Sequence, residues 1–361
     1  MGLNSAQRTG RLKGLIAEKG LDGMLVSQPE NRLYLSGFSG SSGYLLVAAK
    51  TSLLATDFRY IEQSRAQAPE YAVFQISGKI GDWFPRLVAD AGIKRLGFES
   101  EHVTVAFGRE LTESLSKADL EVDLVPVEGL VESIRIVKEP EEIELISKAV
   151  EISDQAMTHV MALVMEGMTE KEVAWKIESF MREHDSQSVP FEVLVQSGPN
   201  SALPHAQPSD RQLRTGEPLV MDIGARIAGY ASDLTRTVCV GKPDDRFNRI
   251  YDIVLGAQLT AEELIKEGMT GEEADSFARI AIKEAGHADA FGHSLGHGVG
   301  LAVHESPRLG PNSADILKNG MVFSVEPGIY LPGWGGVRIE DLVTLENGKI
   351  RVLSNAPKAV R

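Results

Sequence analysis

Cysteine is nearly absent: Cys239 is the only one in 361 residues. It sits in TRTVCVG, a predicted strand, and reads as a small buried hydrophobe instead of a thiol catalyst. Long apolar runs are missing too. No stretch approaches a membrane span, and Met1 is followed by polar residues in place of an apolar segment with a small-residue cleavage site, so a cytoplasmic protein is expected. Basic residues are outnumbered, 37 Lys and Arg against 51 Asp and Glu, and the net charge of -14 disfavours a general nucleic-acid surface. No G-x-G-x-x-G follows a strand, which removes the usual sign of dinucleotide binding.

Acidic residues, by contrast, occur where a folded core would not want them. Between Leu219 and Leu345, five residues lie in apolar or glycine-rich surroundings: Asp222 in PLVMDIGA, Asp233 in YASDLTRT, His297 in GHSLGHGVG, Glu326 in FSVEPG and Glu340 in VRIEDLV. Such surroundings become buried, and a buried carboxylate is costly unless it is paired or holds a metal. Residues 220–224 and 232–238 read as strands of a hairpin centred between Ile227 and Ala228, which puts Asp222 opposite Asp233. Two facing carboxylates repel, so the pair needs a cation or a shared proton. Alternation over residues 337–342 places Arg338 and Glu340 on one strand face, and Glu326 closes the run MVFSV at a Pro-Gly turn. Four carboxylates match the charge of two divalent ions better than that of one, and such a pair can activate a bridging hydroxide and clamp a transition state. The hard donors favour Mn²⁺, with Co²⁺ or Zn²⁺ as alternatives. Acidic surface loops and core histidines would account for any one of these residues, but poorly for all five.

Upstream, residues 5–128 read as a small α/β domain. LDGMLVSQPENRLYLSGF predicts a strand, a turn and a helix begun by Pro29; GYLLVAAK and TSLLATDF predict two strands. A helix over 59–68 stops at Pro69, and another over 83–91 ends at Gly92, between the short strands YAVFQI and IKRLGFE. Pro140 followed by Glu141 and Glu142 starts a long helix running towards Met165 and into a second domain. There, EGMTEKEVAWKIESFMRE and EGMTGEEADSFARIAIKEAG share one pattern. Thr169 with Glu172, and Thr270 with Glu273, predict capping boxes at the starts of two amphipathic helices.

The segments SGPNSALPHAQP, VMDIGARIAGYASDLTRT, GHSLGHGVGLAVHESP, VFSVEPGIY and GGVRIEDLV resemble the successive motifs of the pita-bread metallopeptidases, specifically the Xaa-Pro dipeptidases (prolidases) and Xaa-Pro aminopeptidases. The likeness runs motif by motif through the C-terminal two thirds and in general character through the rest. It implies a creatinase-like α/β N-terminal domain at 1–130 and an α+β pita-bread (creatinase/aminopeptidase-like) catalytic domain at 131–361. Carried over position by position, Asp222 binds one metal, Asp233 and Glu340 bridge two, and His297 and Glu326 bind the second. Creatinase shares the fold without a complete metal set, whereas no ligand is missing here. The resemblance also implies a homodimer.

Three more histidines stand out. His205 follows a proline in SALPHAQP, and His293 and His304 flank His297 in FGHSLGHGVGLAVHE, where the glycines argue against a helix that would bring His293 and His297 together as zinc ligands. His102, His159, His184 and His287 have no comparable setting. By the resemblance, Glu326 carries the proton to the leaving proline nitrogen, His304 donates to the oxyanion, His205 positions the scissile bond and His293 lies on the prolyl side. Arg338 either orients a substrate carboxylate or serves as a buried counter-charge. Tyr230 and Thr235 are expected to support Asp233. Phe191, Val193 and Leu203 are candidates for the proline pocket, which has a ring of fixed φ and no N–H to read. The expected reaction is hydrolysis of Xaa-Pro dipeptides. Trimming of longer Xaa-Pro peptides is the alternative, and a peptide-binding module without turnover is the reading from another class.

Overall fold

Six short apolar runs in the first third become one mixed sheet. They are β1 (Gly23–Val26), β2 (Tyr44–Ala48), β3 (Ser52–Thr56), β4 (Ala72–Gln75), β5 (Arg95–Glu99) and β6 (Asp123–Val127), in the order β4-β3-β2-β1-β5-β6. Only the β1–β2 and β2–β3 pairs are antiparallel. The helices of this unit are α1 (Ser5–Glu18), α2 (Pro29–Ser36), α3 (Ile61–Gln67), α4 (Ile80–Asp90), α5 (Val105–Lys117) and α6 (Glu132–Arg135). Phe84 and Leu87 of α4, with Leu111 and Leu115 of α5, bury against Leu25, Leu46 and Leu96 of the sheet. Each such side chain stabilises by about 1.5–3 kcal/mol. This computed structural model describes residues 4–358, and the chain divides into one compact unit ending at Arg135 and another beginning at Ile136.

Several expectations for this unit change. The helix over 59–68 is the shorter α3, preceded by a single 3₁₀ turn over Phe58–Tyr60 that the Asp57 side chain caps. The helix over 83–91 begins three residues earlier, because the Asp82 carboxylate accepts from Lys79 N at 2.7 Å and caps the first turn. α1, α5 and β6 went unpredicted. α1 buries Arg8 and Thr9 beside Leu12 and Ile16, so its inner face is half polar and its apolar periodicity is weak.

The second unit opens with α7 (Pro140–Met161), which carries Pro140 at its first position and a capping box from Glu139 and Glu142. It ends four residues short of Met165. α8 (Glu170–Glu183), β7 (Leu194–Ser197), β8 (Pro218–Ile223), β9 (Arg226–Ile227), β10 (Tyr230–Ala231) and β11 (Leu234–Cys239) make the first half; α9 (Asp245–Leu264), α10 (Gly271–Glu284), β12 (Gly296–Gly298), β13 (Glu305–Leu309), β14 (Val322–Val325), β15 (Gly328–Leu331), β16 (Gly335–Arg338), β17 (Asp341–Glu346) and β18 (Lys349–Val352) make the second. The sheets run β11-β8-β7 and β13-β12-β14-β17-β18, with β9-β10 and β15-β16 as ribbons. One core joins α7 and α8 to the first sheet, and another joins α9 and α10 to the second.

The two halves repeat one local plan. Both Thr169 and Thr270 close capping boxes. Gly167 N donates to Leu213 O as Gly268 N donates to Leu317 O, and Glu170 N donates to Arg211 O as Gly271 N donates to Asp315 O. The helix-on-sheet halves meet where Glu340 N donates to Thr235 O at 3.1 Å and Arg338 N to Thr237 Oγ1 at 3.0 Å. This is the α+β pita-bread arrangement, and it follows an α/β N-terminal domain in the chain. No helix among the described residues is long and apolar enough to cross a membrane.

Hairpin register differs from expectation. Asp222 pairs with Thr235, not Asp233, because the turn is centred one residue later, between Ala228 and Gly229. Both central residues have positive φ, 48° and 88°, the two-residue turn whose twist suits the flanking strands. Moving the centre by one residue shifts pairing by two, so Asp222 and Asp233 keep a common face. The run over 337–342 is likewise not one strand: it leaves β15 after Arg338 and joins β14 at Asp341.

Candidate metal centre

Strand ends deliver the acidic residues. Asp222 is the penultimate residue of β8, Asp233 immediately precedes β11, Glu326 follows β14, and Glu340 lies in the step between β16 and β17. Carboxylate oxygens of Asp222, Asp233 and Glu340 lie within 4.8 Å of one another. His297, on β12, brings Nε2 to 3.3 Å from Glu326 Oε1 and 3.7 Å from Asp233 Oδ2. β12 can approach this closely only with glycine on either side of the histidine: a Cβ on Gly296 would run into the Ser324 carbonyl, and one on Gly298 into that of Ser306. All five residues, with His205, His293, His304 and Arg338, line one cavity of about 350 Å³.

The electrostatics of this cavity call for cations. Burial, Glu340 and Asp222 push Asp233 well above the usual carboxylate range; burial, Glu326 and Asp222 do the same to Glu340. Burial also raises Asp222, against the pull of Arg338. At the other edge, burial opposes charge on His297 and Glu326, yet their contact overrides it. The Glu326 hydrogen bond and charge lift His297 to about 9, and His297 holds Glu326 at about 2. Asp222 Oδ1 is buried without a hydrogen-bond partner. An orphaned carboxylate oxygen beside carboxyls that resist joint ionisation fits a metal ligand, and the oxygen-rich set fits hard divalent ions.

Neighbouring side chains hold the ligands in place. Thr235 Oγ1 donates to Glu340 Oε2 at 2.7 Å and accepts from Arg338 Nε at 3.1 Å. Ser324 Oγ donates to Glu326 Oε1 and accepts from His297 N, both at 3.1 Å. Arg338 is buried, with Nη2 at 2.7 Å from Asp222 Oδ2 and Nη1 at 3.0 Å from Tyr330 Oη. Its three nitrogens are thus engaged within the protein, the arrangement of a buried counter-charge. The Tyr230 hydroxyl donates to Glu142 Oε1 on α7 at 2.7 Å and so braces that helix.

The histidines occupy three different environments. His293 accepts from Tyr330 Oη through Nε2 at 2.9 Å and donates from Nδ1 to Ser294 O at 2.8 Å. Burial keeps it neutral, and with both nitrogens occupied it can offer a ligand only its ring. His304 is exposed at the rim, its ring centroid 4.4 Å from that of His297. Burial and the His297 charge lower its pKa, so it is a neutral imidazole near pH 7. His205 is exposed on the loop after β7. Elsewhere, His102 bonds Ser27, while His159 and His184 stack on Phe180. Burial pushes the Cys239 thiol up to about 11, where it stays protonated.

Of the three suggested wall residues, Phe191 lines the cavity; Val193 is buried in the core and Leu203 is exposed outside it. Tyr330, Arg308 and Val303 also line it, and none was singled out from the sequence. Tyr330 lies within VFSVEPGIY, two residues along β15 from Gly328, but nothing local shows that its hydroxyl joins Arg338 to His293.

Comparison with known proteins agrees with this geometry. An uncharacterized peptidase of Bacillus subtilis is 42% identical over 349 residues, covering 96% of this chain and 98% of its own. The solved structure of an Xaa-Pro dipeptidase from Bacillus anthracis matches with TM-score 0.95 and 40% identity over 99% of both chains. That of an X-Pro aminopeptidase from Thermotoga maritima matches with TM-score 0.88 and 37% identity, covering 98% of this chain and 99% of its own. The model of the creatinase/prolidase N-terminal domain matches residues 8–137, and that of metallopeptidase family M24 matches residues 144–347. With four carboxyls and an imidazole converging at the strand ends of a pita-bread fold, the chain belongs to metallopeptidase family M24.

Proposed function

We propose that this protein is a metal-dependent Xaa-Pro dipeptidase, a prolidase, which hydrolyses the peptide bond preceding proline. The observation that carries the proposal is the convergence of Asp222, Asp233, His297, Glu326 and Glu340 with His205, His293 and His304 in one cavity of about 350 Å³, near the lower end of the volumes that enclose small ligands. Those five side chains would hold two divalent ions, Mn²⁺ for preference and Co²⁺ or Zn²⁺ as alternatives. When bound, the ions supply Lewis acidity, which acidifies water and offsets negative charge at the carbonyl oxygen.

The protein's own groups do the rest. Glu326 takes a proton from the attacking water and passes it to the proline nitrogen as the C–N bond breaks; a tertiary amide nitrogen has no hydrogen of its own and leaves as an amine only when protonated. Ser324 holds that carboxylate at the cavity edge. His304, neutral and without a hydrogen bond from its ring among the described residues, donates to the carbonyl oxygen as charge develops there. His205 positions the scissile bond. The His293 ring and Phe191 flank the prolyl side, and Arg338 pairs with Asp222. The family resemblance supports a homodimer; sedimentation equilibrium at micromolar concentration should give twice the chain mass, and a fully active monomer would oppose the dimer.

Likeness to the Thermotoga maritima X-Pro aminopeptidase favours a second reading, release of the first residue from longer peptides. The two readings differ only beyond proline, where a dipeptidase must recognise a carboxylate and exclude further residues. A matched series of Ala-Pro, Ala-Pro-Ala and Ala-Pro-Ala-Ala under saturating Mn²⁺, with free alanine and free proline followed separately, tests them. Cleavage confined to Ala-Pro is expected. Efficient release of alanine from the tripeptide would replace the dipeptidase with the aminopeptidase, and binding without cleavage would leave a peptide-binding module.

A further inference from the structure

His205 differs from the other cavity histidines in what holds it. His297 is part of a strand and His293 is tied through both ring nitrogens. Neither nitrogen of the His205 ring has a hydrogen-bond partner among the described residues, and the backbone bond beside it is a turn bond, Ala206 N to Leu203 O at 3.0 Å. The place of this imidazole therefore depends on what grips its backbone.

That grip comes from Gln196 on β7, whose side chain is buried. Its Nε2 donates to Pro204 O at 3.1 Å and to Ala206 O at 2.9 Å, the carbonyls on either side of His205. The primary amide has two hydrogens and spends both here. Only the nitrogen can face two carbonyl oxygens, so the amide orientation is settled by its partners. The cost is visible on the other atom: Gln196 Oε1 is buried with no hydrogen-bond partner. Farther out, Glu170 accepts from Ser197 N at 2.7 Å and from Ser209 N at 3.0 Å, closing the loop at its two ends. Glu170 thus ties the loop to α8, whereas Gln196 acts at the histidine itself.

We infer that Gln196 is a positioning residue which, through the Pro204 and Ala206 carbonyls, sets the place of the His205 imidazole against the scissile bond. The inference rests on the reading of His205 as the group that positions that bond. Gln196→Met keeps side-chain length and removes both donors. Small displacements of a positioned group are expensive in rate, so kcat/KM for Ala-Pro should fall about ten- to hundred-fold, with bound metal per chain unchanged. Because Gln196 acts through His205, the double variant with His205→Ala should be no slower than His205→Ala alone. A merely structural role would lower Tm yet give multiplicative losses in the double variant, and that result would overturn the inference. So would wild-type kcat/KM in Gln196→Met beside a slow His205→Ala. If His205→Ala itself turns over normally, the reading of His205 falls and this inference falls with it. Should Gln196→Met not fold, Gln196→Asn retains a donor withdrawn by one methylene: a loss that vanishes in the His205→Ala background supports the inference, and an undiminished loss there rejects it.

Discussion

Four carboxyls line one cavity with two guanidinium groups, Arg338 and Arg308, and only Arg338 pairs with one of those acids, beside the imidazole of His297. That imbalance was visible residue by residue, since each acid stood alone in an apolar or glycine-rich stretch. What each neighbour does was not visible. Arg338 could have met a substrate or an internal acid, and only its contacts with Asp222, Thr235 and Tyr330 decide for the acid. Tyr230 and Tyr330 are both tyrosines near ligand positions, yet the first turns to α7 and the second into the cavity. At this scale the sharpest prediction concerns His304. It touches no metal ligand through a hydrogen bond, so His304→Ala should keep its full metal content while losing about 10²–10³ in turnover, the size of effect of one oxyanion donor. Steady-state kinetics with elemental analysis check it; near-normal kcat/KM would remove His304 from the transition state.

Elements bring the ligands together because strands end where ligands are needed. A sheet rim lets side chains converge without displacing core, and here β8, β12 and β14 each present an acid or histidine at or beside an end. Apolar runs marked β8 and β14, while β12 was not read as a strand and the hairpin register depended on the turn. Gly229 tolerates positive φ at no cost, and Ala228 accepts it at a modest one, which the sequence alone did not single out from a turn one residue earlier. Helix starts were more legible, since Thr169 with Glu172 and Thr270 with Glu273 carry their own signal within four residues. Thr270 Oγ1 accepts from Glu273 N at 3.1 Å. Replacing Thr270 by alanine should cost about 1 kcal/mol, a drop of about 2–4 °C in Tm, with kcat/KM at 25 °C unchanged. Calorimetry and kinetics on the same variant would expose a functional role if activity fell instead.

Across the whole molecule, the metal centre links stability to pH. In the metal-free protein Asp233 and Glu340 have raised pKa values, so they keep protons the unfolded chain releases. Stability from them is present below the ordinary carboxylate range and is lost as pH rises. His297, raised from 6.5 to about 9, adds the same sign: its contribution is whole below 6.5 and fades as pH climbs through 9. Metal binds the deprotonated ligands, so its stabilisation grows over the same interval. Stripped protein should therefore lose Tm steadily from pH 6.5 to 9, and Mn²⁺ at a hundred times its Kd should restore about 2.7 kcal/mol. Parallel melting curves with and without Mn²⁺ across that interval would contradict a metal centre built on these acids.

Sequence alone pointed to the residues that converge in the cavity and to the helices that open with capping boxes, because an acid in apolar surroundings and a helix cap are local signals of a few residues each. It also marked the first third as an α/β unit through its alternating short strands and helices, while the α+β form of the second unit followed from the family resemblance. Only the tertiary structure decided the pairing of Asp222 with Thr235, the turn of Arg338 towards Asp222, the place of Tyr330 between Arg338 and His293, and the grip of Gln196 on the His205 loop. Arg338 with Asp222 and Tyr330 with His293 join residues 116 and 37 positions apart, and even for the nearer contacts, which of several polar side chains meets a buried partner depends on backbone distances that no local pattern encodes.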